Sequence, residues 1–135
     1  MKVTRRTDYA VHLLVELAKK ADQPQGLRSL AEKHNVTYAF ARTVQCGLLA
    51  AGIIKTTRGI NGGITLARPL KDVTLLEVFE AAQGSLEDTF SSGEASWCNC
   101  HKEACPTDES WEGVRALLHS HLSGITIQSI FDNHA

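Results

Sequence analysis

Three of the four cysteines and one of the six histidines of this chain fall within the stretch Trp97-Cys98-Asn99-Cys100-His101-Lys102-Glu103-Ala104-Cys105-Pro106. Thiolates are soft ligands that hold zinc or iron–sulfur clusters, and the same groups serve as redox switches when exposed. Disulfide stapling fits poorly, because cysteines so close together close badly. The first thirty residues also lack the basic, apolar and small-residue regions of a secretory signal. No apolar run approaches a membrane span. The expected setting is therefore cytoplasmic, where clustered cysteines bind metal or do redox chemistry more often than they cross-link. Three readings stay open: a metal or iron–sulfur site, a purely redox thiol group, and chance clustering in a loop. Zinc would accept Cys98, Cys100, Cys105 and His101 as a three-Cys, one-His set. No nucleophile–base pair, phosphate loop or paired acid–base motif is present in the 135 residues, so an enzyme is not expected.

The second chemical signal is charge. The net charge of −1 conceals a split: residues 1–71 carry twelve Lys and Arg against four acids, and residues 72–135 carry two against eleven. The first part is thus +8 and the second −9. A basic segment invites a polyanion, and nucleic acid is the commonest, since each neutralised phosphate releases condensed counterions. Attraction between the two parts within a dimer is the simpler alternative.

The elements that must position these groups follow from apolar spacing and punctuation. Asp8 to Lys20 is expected to form a first helix, with Val11, Leu13, Leu14, Leu17 and Ala18 on its buried side. Pro24 and Gly26 break it. Ser29-Leu30-Ala31-Glu32 has the capping-box form and is expected to open a short second helix that ends near His34 and Asn35. Thr37 then caps a third helix running to about Ala50, stopped by Gly52. Two helices with so short a turn make a helix-turn-helix. Ile53-Ile54-Lys55 and Ile64-Thr65-Leu66 are expected to pair across the tip Arg58-Gly59-Ile60-Asn61-Gly62-Gly63, completing a winged helix.

Pro69 closes this part. Thr74-Leu75-Leu76-Glu77 caps a fourth helix that reaches about Gln83, and residues 85–96 are expected to be a polar connector without helical period. A long fifth helix is expected from Asp108 or Ser110 to about Leu122, with Trp111, Val114, Leu117, Leu118 and Leu122 on one side. That stripe is wide for so small a core and invites a second copy. Thr126 caps a short final helix containing Ile127, Ile130 and Phe131. The fold class expected is mainly α: a winged helix-turn-helix over residues 1–71, with a small β-hairpin wing. Residues 72–135 then supply a linker helix, the cysteine-rich loop and a long C-terminal dimerisation helix.

If the third helix enters a major groove, Thr37, Tyr38, Arg42 and Thr43 at its start are the base-reading candidates, with Arg58 and Asn61 on the wing. Arg5, Arg6 and Arg28 could meet phosphates. Tyr38 and Phe40 could instead be core, with Phe40 inward on helical spacing with Val44 and Leu48. Cys46, apart from the cluster, is expected to be a small packing residue.

Several stretches together resemble the IscR/NsrR-type winged-helix transcription regulators. They are Met1-Lys2-Val3-Thr4 with Asp8-Tyr9-Ala10, the Ser29-Leu30-Ala31-Glu32 helix, Ala51-Gly52-Ile53-Ile54, the wing Arg58 to Gly63, Leu66-Ala67-Arg68-Pro69, and Thr74-Leu75-Leu76-Glu77-Val78. The resemblance covers nearly the whole chain. It implies a homodimer paired through the long helix and bound to a near-palindromic double-stranded operator. It also implies an iron–sulfur cluster, 2Fe-2S or 4Fe-4S, held by cysteines just before that helix, and regulation, as a repressor, by redox state, nitric oxide or iron supply. The cysteines here, Cys98-x-Cys100-x4-Cys105, depart from the family's even spacing, and Trp111 occupies the place expected for a third evenly spaced thiol. The resemblance also implies where further ligands would come from. Asp8 matches a carboxylate that completes the cluster from the opposite subunit in the nitric-oxide-sensing branch. His34 lies close to a histidine ligand of a redox-sensing two-iron branch. The implied set is Cys100 and Cys105 with Cys98 from one subunit and Asp8 with His34 from the other, His101 being a further candidate. The simpler reading of Asp8 is a charge favouring a helix N-terminus, and that of His34 a solvated residue at a helix end.

Overall fold

Thr4 begins the first helix, four residues before the acidic residue expected to begin it. Its side chain accepts a hydrogen bond from Thr7 N, and α1 runs Arg5–Lys19. A threonine in extended conformation satisfies an otherwise orphaned amide, so the helix starts there and Asp8 falls within its first turn. The computed structural model describes residues 3–90 and 106–134.

The second helix, α2, spans Leu27–Lys33 with Gly26 as its N-cap. The capping box expected at Ser29–Glu32 does not form, because burial of Leu27 and Leu30 draws the helix start forward and leaves Ser29 inside the first turn. Asn35, at φ 55°, closes α2, and Val36 N donates to Ala31 O at 3.0 Å. Asparagine tolerates this left-handed position better than most residues. Thr37 caps α3, Tyr38–Ala50, as expected, its side chain accepting from Phe40 N.

The described residues hold one antiparallel sheet. Its strands β1, Ile54–Thr57, and β2, Gly63–Leu66, pair Ile54 with Leu66 and Thr57 with Gly63. The wing is therefore present, each strand displaced by one residue from its expected start. Gln25, between α1 and α2, extends the sheet by bonding Ile64 in both directions at 3.1 and 2.8 Å. The tip residue Gly59 has φ 112°, which a side chain rarely adopts.

A 3-10 turn at Leu70–Asp72 leads to α4, Leu75–Gln83, with the Thr74/Glu77 capping box complete. The expected polar connector contains a further short helix, α5, Leu86–Thr89, capped by Ser85. It forms because Leu86 is buried with Leu76 and Phe79. Residues 91–96 lie outside the described residues. Next, α6 spans Pro106–Ser123, starting before both expected positions, Asp108 and Ser110, since proline suits the first helical position. The last helix, α7, is Ile127–His134, with Ser129 N donating to Thr126 Oγ1 at 3.2 Å.

One hydrophobic cluster crosses residue 71. Leu13, Leu14, Leu17, Leu30, Val44, Leu48, Ile53 and Ile64 share it with Val73, Val78 and Ile127. Each fully buried aliphatic contributes about 1.5–3 kcal/mol. Close approach of α3 to α4 depends on Gly47, where a Cβ would collide with the Ala81 carbonyl oxygen. Leu118 and Leu122 of α6 pack on a second, smaller cluster around Leu76, Phe79 and Leu86. The rest of the expected α6 stripe stays open: Trp111 is 52% exposed and Leu117 71%.

Candidate metal-binding cleft and nucleic-acid interface

Helix α1 and the turn between α2 and α3 enclose a cleft of about 320 Å³ lined by Arg5, Asp8, Tyr9, His12, His34, Val36 and Phe40. Asp8 and His34, twenty-six residues apart in the chain, thus line one cleft. Asp8 projects from the exposed side of α1, and its Oδ1 lies 3.6 Å from His12 Nε2. His34 is half-buried. Its Nδ1 lies 3.0 Å from Leu30 O. A carbonyl oxygen only accepts, so Nδ1 is the donor, and in the neutral imidazole the lone pair then lies on Nε2. That is the arrangement by which a second hydrogen bond orients a metal-binding imidazole. The Tyr9 ring packs edge-on against His34 at 5.6 Å and against Phe40 at 5.7 Å. Burial raises the Tyr9 phenol pKa, so its buried hydroxyl stays neutral.

The donor set fits a metal or cluster in kind: a carboxylate, an imidazole with a free Nε2, and thiolates elsewhere in the chain. Among the described residues, no three His, Cys, Asp or Glu side chains converge closely enough to hold a metal by themselves. Cys98, Cys100, Cys105 and His101 lie outside the described residues.

Two anchors hold α1 in place. Gln83, at the end of α4, accepts from Thr7 Oγ1 at 2.5 Å and from Thr4 N at 3.2 Å. Glu16, 8% exposed, bonds Lys19 at 2.8 Å and Lys33 at 2.6 Å, tying α1 to α2. Burial pushes the Glu16 carboxyl up, but the hydrogen bonds and charges of Lys19 and Lys33 outweigh it and hold the pKa at about 2. The helix carrying Asp8 is thereby fixed against both the turn carrying His34 and the helix leading toward the cysteines.

The expected nucleic-acid contacts are displayed on one helix and the wing. Thr37 at the N-cap of α3 and Tyr38, Arg42 and Thr43 on the helix are exposed, as are Arg58 and Asn61 on the wing and Arg5, Arg6 and Arg28 on the preceding helices. The Thr43 hydroxyl donates to Ala39 O at 3.0 Å, leaving its oxygen free to accept. Tyr38 is not core: it is exposed, with the Arg28 guanidinium 4.6 Å above its ring. Phe40 is half-buried, sandwiched between Tyr9 and the Arg5 guanidinium. Cys46 is exposed, contrary to expectation, because Val44 and Leu48 face the core and the residue midway between them points away. His12 was missed by the reading from spacing; its signal was its place one helical turn after Asp8.

Comparisons with known proteins bear on the fold and the family. The Rrf2 family model, described as an iron-dependent transcriptional regulator, matches residues 3–133. The protein aau3 of Rhizobium meliloti is 30% identical over 125 residues, covering 91% of this chain and 75% of that one. The transcriptional regulator IscR of Cereibacter sphaeroides is 26% identical over 137 residues, covering 98% and 88%. Among solved structures, that of CymR, the global cysteine regulator of B. subtilis, superposes with a TM-score of 0.77 at 22% identity, covering 98% of both chains. A helix-turn-helix, a wing and a family model spanning both make this chain a member of the Rrf2 family of transcriptional regulators.

Proposed function

We propose that this chain is a cytoplasmic, homodimeric repressor whose operator affinity is set by an iron–sulfur cluster. Residues 1–71 read DNA, and residues 72–135 carry the thiolates and the dimer helix. Cys98, Cys100 and Cys105 of one subunit and Asp8 and His34 of the other would hold the cluster, with His101 as a reserve donor. When bound, the cluster supplies a centre whose charge and integrity respond to redox state, nitric oxide or iron supply. The observation carrying the reading is that the cleft of Asp8 and His34 is also lined by Phe40, a residue of α3 itself. Any change in how Asp8 and His34 are held is thereby passed to the helix bearing Tyr38, Arg42 and Thr43. Two states of one packed element, biased by a ligand, are what coupling between sites requires.

The Rrf2 description as iron-dependent supports the choice of metal. Anaerobic purification with iron and sulfide counts tests it. A brown protein with visible absorption that is lost in Asp8→Ala, His34→Ala or Cys105→Ala is the expected result. A colourless protein containing zinc would instead assign Cys98, Cys100, Cys105 and His101 to a structural site. A metal-free protein that responds to oxidants would make the thiols themselves the sensor.

A further inference from the structure

The wing ends in an apolar side chain that nothing in the described residues covers. Ile60 is fully exposed at the tip, between Arg58-Gly59 and Asn61. An isoleucine in water gains free energy when its surface is covered. The backbone around it is fixed. Gly62 N donates to Gly59 O at 3.0 Å, closing the tip. A Cβ at Gly62 would collide with the Thr57 carbonyl oxygen, so the turn is as tight as the chain allows. Behind it, Gln25 N donates to Ile64 O at 3.1 Å and Ile64 N to Gln25 O at 2.8 Å, pinning the hairpin to the segment before α2. Ile60 therefore stands on a rigid mount, and ordering that mount costs little on binding.

The surroundings of Ile60 select what can cover it. From Lys33 to Lys71 the chain carries six Lys and Arg and no acid. Lys55 and Arg58 stand exposed on the hairpin itself. An apolar tip beside cations fits a groove with anionic rims and a floor of stacked bases, which is the minor groove of double-stranded DNA. A protein or lipid surface would call for an apolar patch, whereas Ile60 has only Arg, Gly and Asn beside it on the tip. We propose that Ile60 is a wedge: as Arg58 and Asn61 settle into the minor groove, Ile60 enters between two base pairs, loosens their stacking and bends the duplex. The inference rests on the reading that α3 and the wing together bind operator DNA. It adds selectivity at a step that no side chain need hydrogen-bond, because pyrimidine–purine steps such as TA and CA unstack most easily.

The test uses the full chain and one duplex selected in vitro by the wild type, labelled at both ends so that energy transfer reports its bend. The adenine analogue 2-aminopurine, placed at each adenine in turn, brightens where stacking is lost. The wild type is expected to bend the duplex and brighten at least one step. Ile60→Ala should bind about tenfold more weakly, bend the duplex less and leave that step dark. Its salt slope should match the wild type, because no phosphate contact is lost. Ile60→Met, apolar and long enough to enter the stack, should restore most of each signal. Arg58→Ala, by contrast, should lower the salt slope by about one. A wild-type complex that is straight and dark at every position would overturn the proposal. So would an Ile60→Ala complex with the bend and brightness of the wild type, or an Ile60→Met complex as weak as Ile60→Ala. Affinity of Ile60→Ala falling together with its salt slope would also overturn it, by tracing the loss to disturbed phosphate contacts. Since the side chain is fully exposed, Ile60→Ala should melt with the wild type; a chain melting well below it would reduce the effect to folding and overturn the proposal too. A wild-type chain that selects no duplex removes the underlying reading, an outcome told apart because it shows in the wild type itself.

Discussion

Helices α3 and α6 both present a face to something beyond the single chain, yet they are seated in opposite ways. Ala41, Val44 and Leu48 bury the inner side of α3, and Gly47 lets it touch α4. Its outer side carries Arg42 and Thr43, groups at ease in water and able to hydrogen-bond a base edge. By contrast, α6 reaches the core through Leu118 and Leu122, while Trp111, Val114 and Leu117 remain exposed. A polar outer face is stable whether or not its ligand is bound. An apolar one gains free energy only when covered, which is why the proposed dimer assigns α6 to a second copy.

Substitutions can break this contrast. The largest effect on the fold should follow Leu48→Ala, whose side chain is fully buried: about 2–5 kcal/mol lost in denaturant titration. Arg42→Ala should leave stability unchanged but remove about 2 kcal/mol of discrimination between matched and mismatched operator duplexes, measured by competition binding at fixed salt. Glu16→Gln should cost about 1.5 kcal/mol, since hydrogen bonds to charged groups lie in that range. Its pH profile identifies the cause. The folded-state pKa of about 2 lies below the ordinary 4.5, so the carboxylate stabilises the wild type above pH 4.5 and that stability is lost as pH falls toward 2. The gap between wild type and Glu16→Gln should close over the same window in acid denaturation. Leu117→Ala should change the stability of the isolated chain by no more than about 0.5 kcal/mol and yet weaken self-association in sedimentation equilibrium. A large loss of monomer stability there would mean that α6 faces a core rather than a partner.

The same contrast explains what was readable beforehand. Helix-turn-helix and wing were legible because local chemistry agrees with the tertiary outcome: Thr37 and Thr74 cap as their residue types prefer, and Gly59 supplies a backbone angle the wing tip needs. Ser29 misled because the pull of buried Leu27 and Leu30 outweighed a local capping preference. Helix α5 was hidden among polar residues, since its existence depends on one leucine meeting Leu76 and Phe79 across the chain. Cys46 was assigned inward from the habits of free cysteine, whereas its place between Val44 and Leu48 turns it outward. In the cleft, Asp8 and His34 became candidates through family resemblance. The packing of Tyr9 against both His34 and Phe40 needed the fold, because these contacts join α1 to elements more than twenty residues away.

In the proposed regulator the state of the cleft sets the affinity of α3 for DNA. The most direct test is binding of one duplex, selected in vitro by the protein, to the cluster-loaded and cluster-free forms under anaerobic conditions at matched salt. Dissociation constants differing by about tenfold or more are expected. Equal constants for the two forms would contradict it.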